Sequence, residues 1–415
     1  MTFKIRVGYA CTPISITYKT SRSFMLKNFN EKIFNECVSS NIADLESILK
    51  WNIKNDIYMF RISSDIIPFA SHPVNDIKWW DSFGSELKEC GQIIKDNNIR
   101  VSMHPGQYTV LNSPNNEVVV KSIADLEYHC RFLDSLGVDY SNKIILHVGG
   151  VYGDKTNAME NFKSNFNRLS TSAKKRLVVE NDERSYTIEE VLSICKQLNI
   201  PAVFDNLHHK LNPCNLELEE IIKQVKSTWK AEDGHMKLHY SDKDMEKRGG
   251  AHSKFVITKN FLDYIESLKG VETDIMLEVK DKEISALKCV YALNDKTKVS
   301  RRTEQWAKYK YSVMEKNYSY YKKCSSLINS DVPMATVYTY IDQCLNQPFE
   351  EGSFINTAEH VYGYVKDKVT AKEKENYKQL LMNAEENRIK IKALLQKLCK
   401  KYKADFINDS YYFIY

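Results

Sequence analysis

The chain has 415 residues, 43% of them hydrophobic and 27% charged, so it can bury a large core and does not have a disordered composition. Its net charge of +5, concentrated in residues 291–415, is compatible with a polyanionic partner but does not require one. There is no apolar run of the roughly 18 residues that a membrane helix needs, and we expect no secretory signal. The ten cysteines form no C-x-x-C pair, which favours reduced thiols in the cytoplasm over a disulfide framework or a zinc ribbon.

Eight short apolar or β-branched runs predict strands, and each run is continuous, as in strands that are covered on both faces. The runs are 4–10, 57–63, 99–105, 143–149, 176–182, 201–206, 235–241 and 274–280. Segments with apolar residues at three- and four-residue steps predict the helices between them, at 30–52, 83–97, 119–137, 158–170, 187–199, 214–228 and 258–269. This alternation predicts an α/β fold, a (β/α)8 TIM barrel over residues 1–290, with a doubly wound open sheet as the alternative.

After residue 290 the strand pattern ends. The segment 299–328 is rich in Tyr and Lys and predicts a helix, and two further helices are predicted at 354–367 and 371–402. We therefore predict an additional, mostly α-helical module over residues 291–415. Its lysines and tyrosines could bind nucleic acid, or they could form a solvated helical face with the tyrosines packed inside.

Side chains that can bind metal ions lie at the ends of consecutive predicted strands, and one more follows in a loop. In chain order they are His104, His147, Glu180, Asp205, His208, Lys237, His239, His252 and Glu278. The parallel strands of a barrel end on one face, so these side chains are expected to converge. One such residue is more often structural, but a buried cluster of carboxylates and imidazoles is costly unless a cation neutralises it. The number of ligands exceeds what one tetrahedral ion takes, so we predict a multinuclear site that activates water and holds a phosphate.

Seven short motifs and the opening of the chain carry a family resemblance. They are RVGYACTP with TSRSF (20–24), MHPGQY (103–108), ILHVGG (145–150), VVENDE (178–183), FDNLHH (204–209), KLHYS (237–241), GGAH (249–252) and LEVKDKE (277–283). In this order they resemble the ultraviolet-damage endonucleases over about residues 1–290. The resemblance implies the metal-dependent barrel that this family shares with abasic endonucleases of the endonuclease IV type.

The resemblance also implies a ligand set. One metal ion would be bound by His104, His147 and Glu180. Glu180 would bridge to a second ion, whose other ligands would be Asp205, His239 and Glu278. A third ion would be bound by His208 and His252. Lys237 would be carboxylated or, alternatively, would contact substrate phosphate, and Glu180 and Lys237 would be the catalytic residues.

Four further residues would contact DNA if the resemblance holds. Gln107, Tyr108 and Tyr9 would wedge into the duplex beside a flipped-out lesion, since aromatic faces can replace lost stacking. For Tyr9, a core aromatic residue that lines the barrel mouth is the alternative. Arg22 would contact phosphate, although the family's Thr-Asn-Arg-Thr is Thr-Ser-Arg-Ser at residues 20–23 here.

The function implied is that of a DNA-repair endonuclease acting on damaged double-stranded DNA. It would recognise ultraviolet photoproducts, with abasic sites as a further substrate, and would hydrolyse the phosphodiester immediately 5′ to the lesion to leave a 3′-hydroxyl and a 5′-phosphate. Two or three divalent ions are expected, Mn2+ first, with Zn2+, Mg2+ or Co2+ as alternatives. No membrane and no obligatory protein partner are expected.

Two other functions are compatible with the metal-binding pattern. The first is a metal-dependent sugar isomerase or epimerase on the same barrel, for which Gln107 and Tyr108 would have no obvious role. The second is a non-catalytic metal- or DNA-binding module, although a structural metal site would need only four ligands.

Overall fold

Eight parallel strands close into a barrel in sequence order, each hydrogen-bonded to the next and the last to the first. The computed structural model describes residues 5–244, 247, 249–294 and 298–415. The strands are β1 Arg6–Ala10, β2 Met59–Arg61, β3 Arg100–Met103, β4 Lys143–His147, β5 Leu177–Glu180, β6 Ala202–Asp205, β7 Lys237–Tyr240 and β8 Asp274–Leu277. Each lies within one of the eight predicted runs. The TIM barrel is therefore confirmed, and the open-sheet alternative is wrong.

Helices connect the strands and cover the barrel. They are α1 Glu31–Lys54, α2 Trp79–Ser82, α3 Gly84–Asp96, α4 Asn116–Ser135, α5 Lys155–Phe166, α6 Thr171–Arg176, α7 Ile188–Leu198, α8 Asn206–Leu211, α9 Leu218–Thr228, α10 Thr258–Ser267 and α11 Glu283–Ala292, with short 3-10 turns at Leu26–Asn28 and Ala231–Asp233. Local sequence sets their ends. In α7, Thr187 and Glu190 form a capping box at the start, and Asn199 takes the left-handed conformation (φ 57°) at the end.

The two-residue period of the strands places the metal-binding side chains inside the barrel. Ile145, Val178 and Val203 lie on three adjacent strands and form one apolar cluster, against which Trp229 packs. Side chains two residues apart on a strand point to the same side of the sheet. The residues two positions further along these strands are His147, Glu180 and Asp205. They continue the same face of the sheet beyond the apolar cluster, toward the carboxyl ends of the strands.

The opposite ends of the strands are held by buried ion pairs. The Asp274 carboxylate accepts a hydrogen bond from Arg100 Nη1 at 2.7 Å and pairs with Arg6 Nη1 at 3.3 Å. Lys143 Nζ lies 2.5 Å from Asp233 Oδ1, and its side chain is fully buried. Buried charges persist only when they are paired, so this cluster links the starts of β1, β3, β4 and β8 by structural contacts.

Residues after the barrel form a second compact unit. The chain divides into Met1–Val256 with Asp263–Val290, and Ile257–Leu262 with Tyr291–Tyr415. The later helices are α12 Val299–Lys316, α13 Tyr318–Ile328, α14 Met334–Leu345, α15 Glu351–Tyr362, α16 Ala371–Leu381, α17 Ala384–Lys401 and α18 Asp405–Asn408, followed by a 3-10 turn at Tyr411–Phe413. The predicted additional α-helical region is confirmed, and Tyr377 and Tyr412 are in its core. Among the described residues, no helix is both long and apolar enough to cross a membrane.

The helix boundaries of this unit differ from the predicted ones. The predicted helix 299–328 is two helices, because Asn317 has an extended conformation (φ −164°, ψ 120°) and its side chain caps the first turn of α13. The predicted helix 371–402 is also two helices, which are separated by Met382 and Asn383. The prediction missed α14, which lies between the segments that looked helical.

Candidate metal centre

The carboxylate of Glu180 lies at the centre of a buried polar cluster. Its side chain is fully buried at the end of β5, and Oε1 lies 2.7 Å from Nδ1 of His239 on β7. Oε2 lies 3.3 Å from Nε2 of His104, which follows β3, and 3.6 Å from Nε2 of His147, which ends β4. Imidazoles from three different strands therefore surround a single carboxylate.

Strand register accounts for this convergence. His147 is the register partner of Glu180, and Asp205 is the register partner of His239. Because the strands are parallel and in register at these positions, residues distant in sequence lie at the same height in the barrel. Glu278 follows β8 directly and brings its Oε1 to 3.3 Å from Nδ1 of His239.

Two groups of side chains could each hold a metal ion. The first consists of His104, His147 and Glu180, and the second of Glu180, Asp205, His239 and Glu278. Within each group, the candidate ligand atoms lie within 4.8 Å of one another. Glu180 belongs to both, so one carboxylate is placed between two candidate ion positions.

His208 and His252 lie beside these two groups. Asp205 caps α8 by accepting a hydrogen bond from the His208 backbone N–H at 2.7 Å, which holds the His208 ring near the cluster. His208 Nδ1 lies 3.7 Å from Oε1 of Glu180, and His252 Nε2 lies 3.7 Å from Oε2 of Glu278. The centroids of the two imidazoles are 6.2 Å apart. The structure therefore brings both residues to the cluster but does not place them in either ligand group.

Burial and charge set the protonation of the cluster. Burial opposes ionisation of Glu180, but the His239 and His147 imidazoles outweigh it and hold the pKa of this carboxyl well below its usual value. Burial raises the pKa of Asp205, and the negative charges of Glu180 and Glu278 raise it further. Burial lowers the pKa of His147 and of His239, while the negative charge of Glu180 acts in the opposite direction. A metal ion would bind the deprotonated form of each imidazole.

A second observation indicates that these residues could bind a divalent ion. Four buried polar atoms of the cluster make no hydrogen bond within the described part of the chain: Glu180 Oε2, Asp205 Oδ2, His147 Nδ1 and His252 Nδ1. Buried polar atoms are normally satisfied, so such a concentration in one place needs a partner. Carboxylate oxygens and imidazole nitrogens are the ligands that Zn2+ and Mn2+ accept.

Lys237 lies in the barrel at the start of β7. Its side chain is fully buried. Burial, together with the positive charges of Arg100 and Arg61, holds the pKa of Lys237 well below its usual value. The neutral amine is therefore favoured, and the burial argues against a direct contact between this lysine and substrate phosphate.

Sequence reasoning missed Arg61, a basic residue of the cluster. Arg61 ends β2, and its Nη2 lies 2.5 Å from Oε1 of Glu278 and 3.0 Å from Nε2 of His239. Burial opposes ionisation of Glu278, but the Arg61 guanidinium lowers the pKa of this carboxyl. The available signal was a charged residue near the end of the predicted strand 57–63.

Sequence reasoning also missed Asn181, whose side chain binds the backbone of Asp205. Its side chain accepts a hydrogen bond from the Asp205 N–H at 2.9 Å and donates to the Asp205 carbonyl at 3.2 Å. Its own carbonyl lies 3.0 Å from Nδ1 of His208. Asn181 thus fixes the end of β6, and its position directly after Glu180 was the signal.

The two tyrosines predicted to contact the lesion have opposite environments. Gln107 and Tyr108 are exposed in the turn after β3, and the Tyr108 side chain is 84% exposed. Tyr9 is fully buried, and its hydroxyl donates to Asn52 of α1 at 3.0 Å. This burial favours the alternative of a core aromatic residue, and the lesion contact of Tyr9 stays a prediction.

Arg22, the predicted phosphate contact, already has partners within the protein. Its Nη2 lies 2.6 Å from Asp44 Oδ2 on α1, and its Nη1 donates to the Lys19 carbonyl. The side chain is about one-third exposed, with 38% of its surface accessible. Arg22 therefore fixes the first loop against α1 and would have to share its charge with a phosphate.

Comparison with known proteins shows that most of the chain matches one family. The model of the UV-endonuclease UvdE family matches residues 5–310, and that of a protein family of unknown function (DUF1722) matches residues 310–415. The chain is 45% identical to a UV DNA damage endonuclease of Clostridium perfringens (strain 13 / Type A) over 413 residues, covering 98% of this chain and 99% of the relative. It is 34% identical over 301 residues to a UV DNA damage endonuclease of Bacillus cereus (strain B4264), covering 70% of this chain and 95% of the relative.

A solved structure agrees with these relatives. The crystal structure of SacUVDE is 41% identical in sequence and superimposes with a TM-score of 0.67, covering 70% of this chain and 99% of that one. The resemblance inferred from the motifs is thereby confirmed: the chain belongs to the UV-endonuclease UvdE family.

Proposed function

We propose that this chain is a metal-dependent endonuclease that repairs ultraviolet photoproducts in double-stranded DNA. The observation that carries the proposal is the pair of ligand groups that share the buried Glu180, next to the exposed Gln107 and Tyr108. Full-length relatives are named UV DNA damage endonucleases, which argues against the sugar isomerase and the non-catalytic module. Hydrolysis immediately 5′ to the lesion, to give a 3′-hydroxyl and a 5′-phosphate, is the reaction we assign to the site.

The ligand groups would hold two divalent ions, with Mn2+ as the first candidate. His104, His147 and Glu180 would hold one, and Glu180, Asp205, His239 and Glu278 the other. We propose His208 and His252, whose rings lie beside these groups, as ligands of a third. When bound, such ions activate water and neutralise the charge that develops on a phosphate. Within the chain, Arg61 holds Glu278 in position, and the ionised Glu180 supplies the negative charge that two adjacent cations require.

The exposed turn after β3 would act on the DNA. Photoproducts stack and pair poorly, so their extrusion from the duplex costs less than that of normal bases. The Tyr108 ring and the Gln107 amide, both exposed, would fill the space that the extruded bases leave. Abasic sites lack a base to extrude and are proposed as a second substrate.

Lys237 is proposed to carry a carboxyl group. A neutral amine is the form that can take up carbon dioxide, and the surroundings of Lys237 favour that form. In this modification, the amine would add to carbon dioxide and release a proton, so that the neutral group becomes an anion whose charge the Arg61 guanidinium favours. A mass increase of about 44 Da on the native protein, lost when the protein is acidified, would identify it.

Incision of a duplex with one thymine dimer tests the proposed reaction. The duplex is labelled at either end, and an undamaged duplex and one with an abasic site are treated in parallel. The protein is stripped with chelator and then given Mn2+, Zn2+, Mg2+ or Co2+. We expect cutting of the damaged strand only, immediately 5′ to the dimer, with Mn2+ restoring activity and a polymerase extending the new 3′ end. Cutting that persists in chelator, or that falls on the 3′ side, would contradict the proposal.

A further inference from the structure

The helix α13 carries tyrosines and lysines in a stretch without acidic residues. Residues 316–330 contain three lysines and no Asp or Glu. Five residues of the helix are exposed, two of them serines, and 43% of Tyr318 is accessible. The other three define a surface that we call the α13 face: Tyr318, Lys322 and Lys323. The face lies within the part of the chain that matches a family of unknown function.

The rings beside this face are held in place. Tyr318 stacks on Tyr321, with centroids 5.5 Å apart and planes at 12°, and Tyr321 in turn contacts Trp306 of α12 at 5.6 Å. Lys322 Nζ lies 4.9 Å from the centroid of the Tyr318 ring. Lys323 Nζ lies 5.7 Å from the centroid of the Tyr340 ring on α14. Each ammonium group therefore lies close to a tyrosine ring of the same unit.

Several other basic side chains of this unit have partners inside the protein. Arg302 donates to four backbone carbonyls at the end of α13 and the turn that follows. Lys392 pairs with Glu315 at 2.9 Å, and Lys316 donates to a backbone carbonyl at 3.3 Å. These residues stabilise the fold. Because they are already paired, they are less available to bind an anionic ligand.

Lys322 and Lys323 differ from these residues. Within the described part of the chain, neither has an ion pair or a hydrogen bond, and their contacts are with the rings. The buried residues of α13 are Cys324 and Ile328, so packing of the helix does not depend on the two lysines. Among the described residues of this unit, no acidic side chain is paired with the two lysines of the α13 face.

We propose that the α13 face binds the sugar–phosphate backbone of DNA, as a contact additional to those of the barrel. Lysine ammonium groups and tyrosine hydroxyls are common donors to phosphate oxygens, and such contacts position a protein on DNA without reading its sequence. The inference rests on the proposed function only in taking DNA as the partner. It assigns Lys322 and Lys323 one phosphate each.

The loss of DNA affinity expected without the two lysines can be calculated from the salt dependence of binding. Each phosphate neutralised on duplex DNA adds about 0.9 to the slope of log affinity against log salt. Loss of two contacts lowers that slope by about 1.8 and, at 0.15 M salt, weakens binding about 30-fold. Truncation of two exposed side chains leaves stability nearly unchanged, so the loss is not an effect of unfolding.

The test uses the full chain and an undamaged, fluorescently labelled duplex of about three helical turns. Affinity is measured by anisotropy between 0.05 and 0.3 M salt for the wild type and for the double variant Lys322→Ala/Lys323→Ala. The matched control is Lys374→Ala/Lys378→Ala, which removes two exposed lysines from α16, where Glu373 and Glu375 lie nearby. A Lys322→Arg/Lys323→Arg variant keeps the charge and should restore the slope.

In the Lys322→Ala/Lys323→Ala variant, we expect the slope to fall by about 1.8 and binding to weaken about 30-fold. In the control variant, we expect no change in either quantity. An unchanged slope in the α13 variant would overturn the inference, as would an equal loss in the control, which would show an effect of net charge alone. Because the duplex is undamaged and binding is the readout, this result is independent of whether the chain cuts photoproducts.

Discussion

Replacement of Glu180 by Gln tests the metal centre without relying on activity. The amide has nearly the same shape as the carboxylate but no charge, and it places an NH2 group where one of the two oxygens faces His104, His147 or His239. Because Glu180 belongs to both ligand groups, both candidate ions lose an anionic ligand at once. Loss of a residue that merely orients a ligand costs 10- to 100-fold in metal affinity, so we expect about 100-fold or more here.

The expected effect on thermal stability follows from mass action. With Mn2+ at about 100 times its dissociation constant, binding stabilises the native protein by about 2.7 kcal/mol, a rise in Tm of about 3 to 4 °C for a protein of this size. At the same Mn2+ concentration, Glu180→Gln would be near its own dissociation constant and would gain about 0.4 kcal/mol, a rise of less than about 1 °C. Differential scanning fluorimetry with and without Mn2+, and the metal content after desalting, measure both quantities.

Asp274→Asn is the matched control at the opposite end of the barrel. It also removes a buried carboxylate charge, but one that pairs with Arg100 and Arg6. Loss of one partner of a buried ion pair costs about 3 to 5 kcal/mol, so Tm falls in the absence of metal while the rise on adding Mn2+ is kept. A Glu180→Gln protein that keeps the full Mn2+-dependent rise would refute the shared-ligand reasoning.

Two further predictions separate the tyrosines on which the sequence and the structure disagree. Tyr108→Ala should lower dimer incision at least tenfold with a Tm within about 1 °C of wild type, because truncating an exposed side chain costs little stability; unchanged incision would contradict the wedge. Tyr9→Phe should lower Tm by about 1 to 2 °C, since the buried hydrogen bond to Asn52 contributes about 1 kcal/mol, and incision should be kept. An incision defect without a loss of Tm would instead support a catalytic or lesion contact for the Tyr9 hydroxyl.

The barrel and most of the metal centre could be predicted from sequence because two simple rules act together. Continuous apolar runs such as 143–149 and 274–280 indicate strands buried on both faces, and parallel strands of a barrel must end on one side. A His, Asp or Glu at the end of such a run is therefore placed at the mouth before any coordinates are known. His147, Glu180 and Asp205 all follow this reasoning.

Because the apolar runs are continuous, the sequence does not show which face of the sheet a side chain occupies. In β1 both faces are apolar, so nothing in RVGYA shows whether Tyr9 or its neighbour faces the lumen, and the register of the closed barrel turns Tyr9 toward α1. Arg61 was missed because a lone arginine at a strand end has no spacing signal, and its role depends on Glu278, more than 200 residues away.

In the helical unit, local sequence determined helical character, and tertiary structure decided where the helices end. The apolar periodicity of 299–328 continues across Asn317, yet the chain turns there, so that α13 can pack its Tyr321 ring on Trp306 of α12. Helix propensity changes by less than about 1 kcal/mol at any such residue, less than the packing of a buried aromatic ring contributes. Sequence alone thus determined the fold class and the family and predicted the candidate ligands, whereas contacts between distant residues decided which face each side chain occupies.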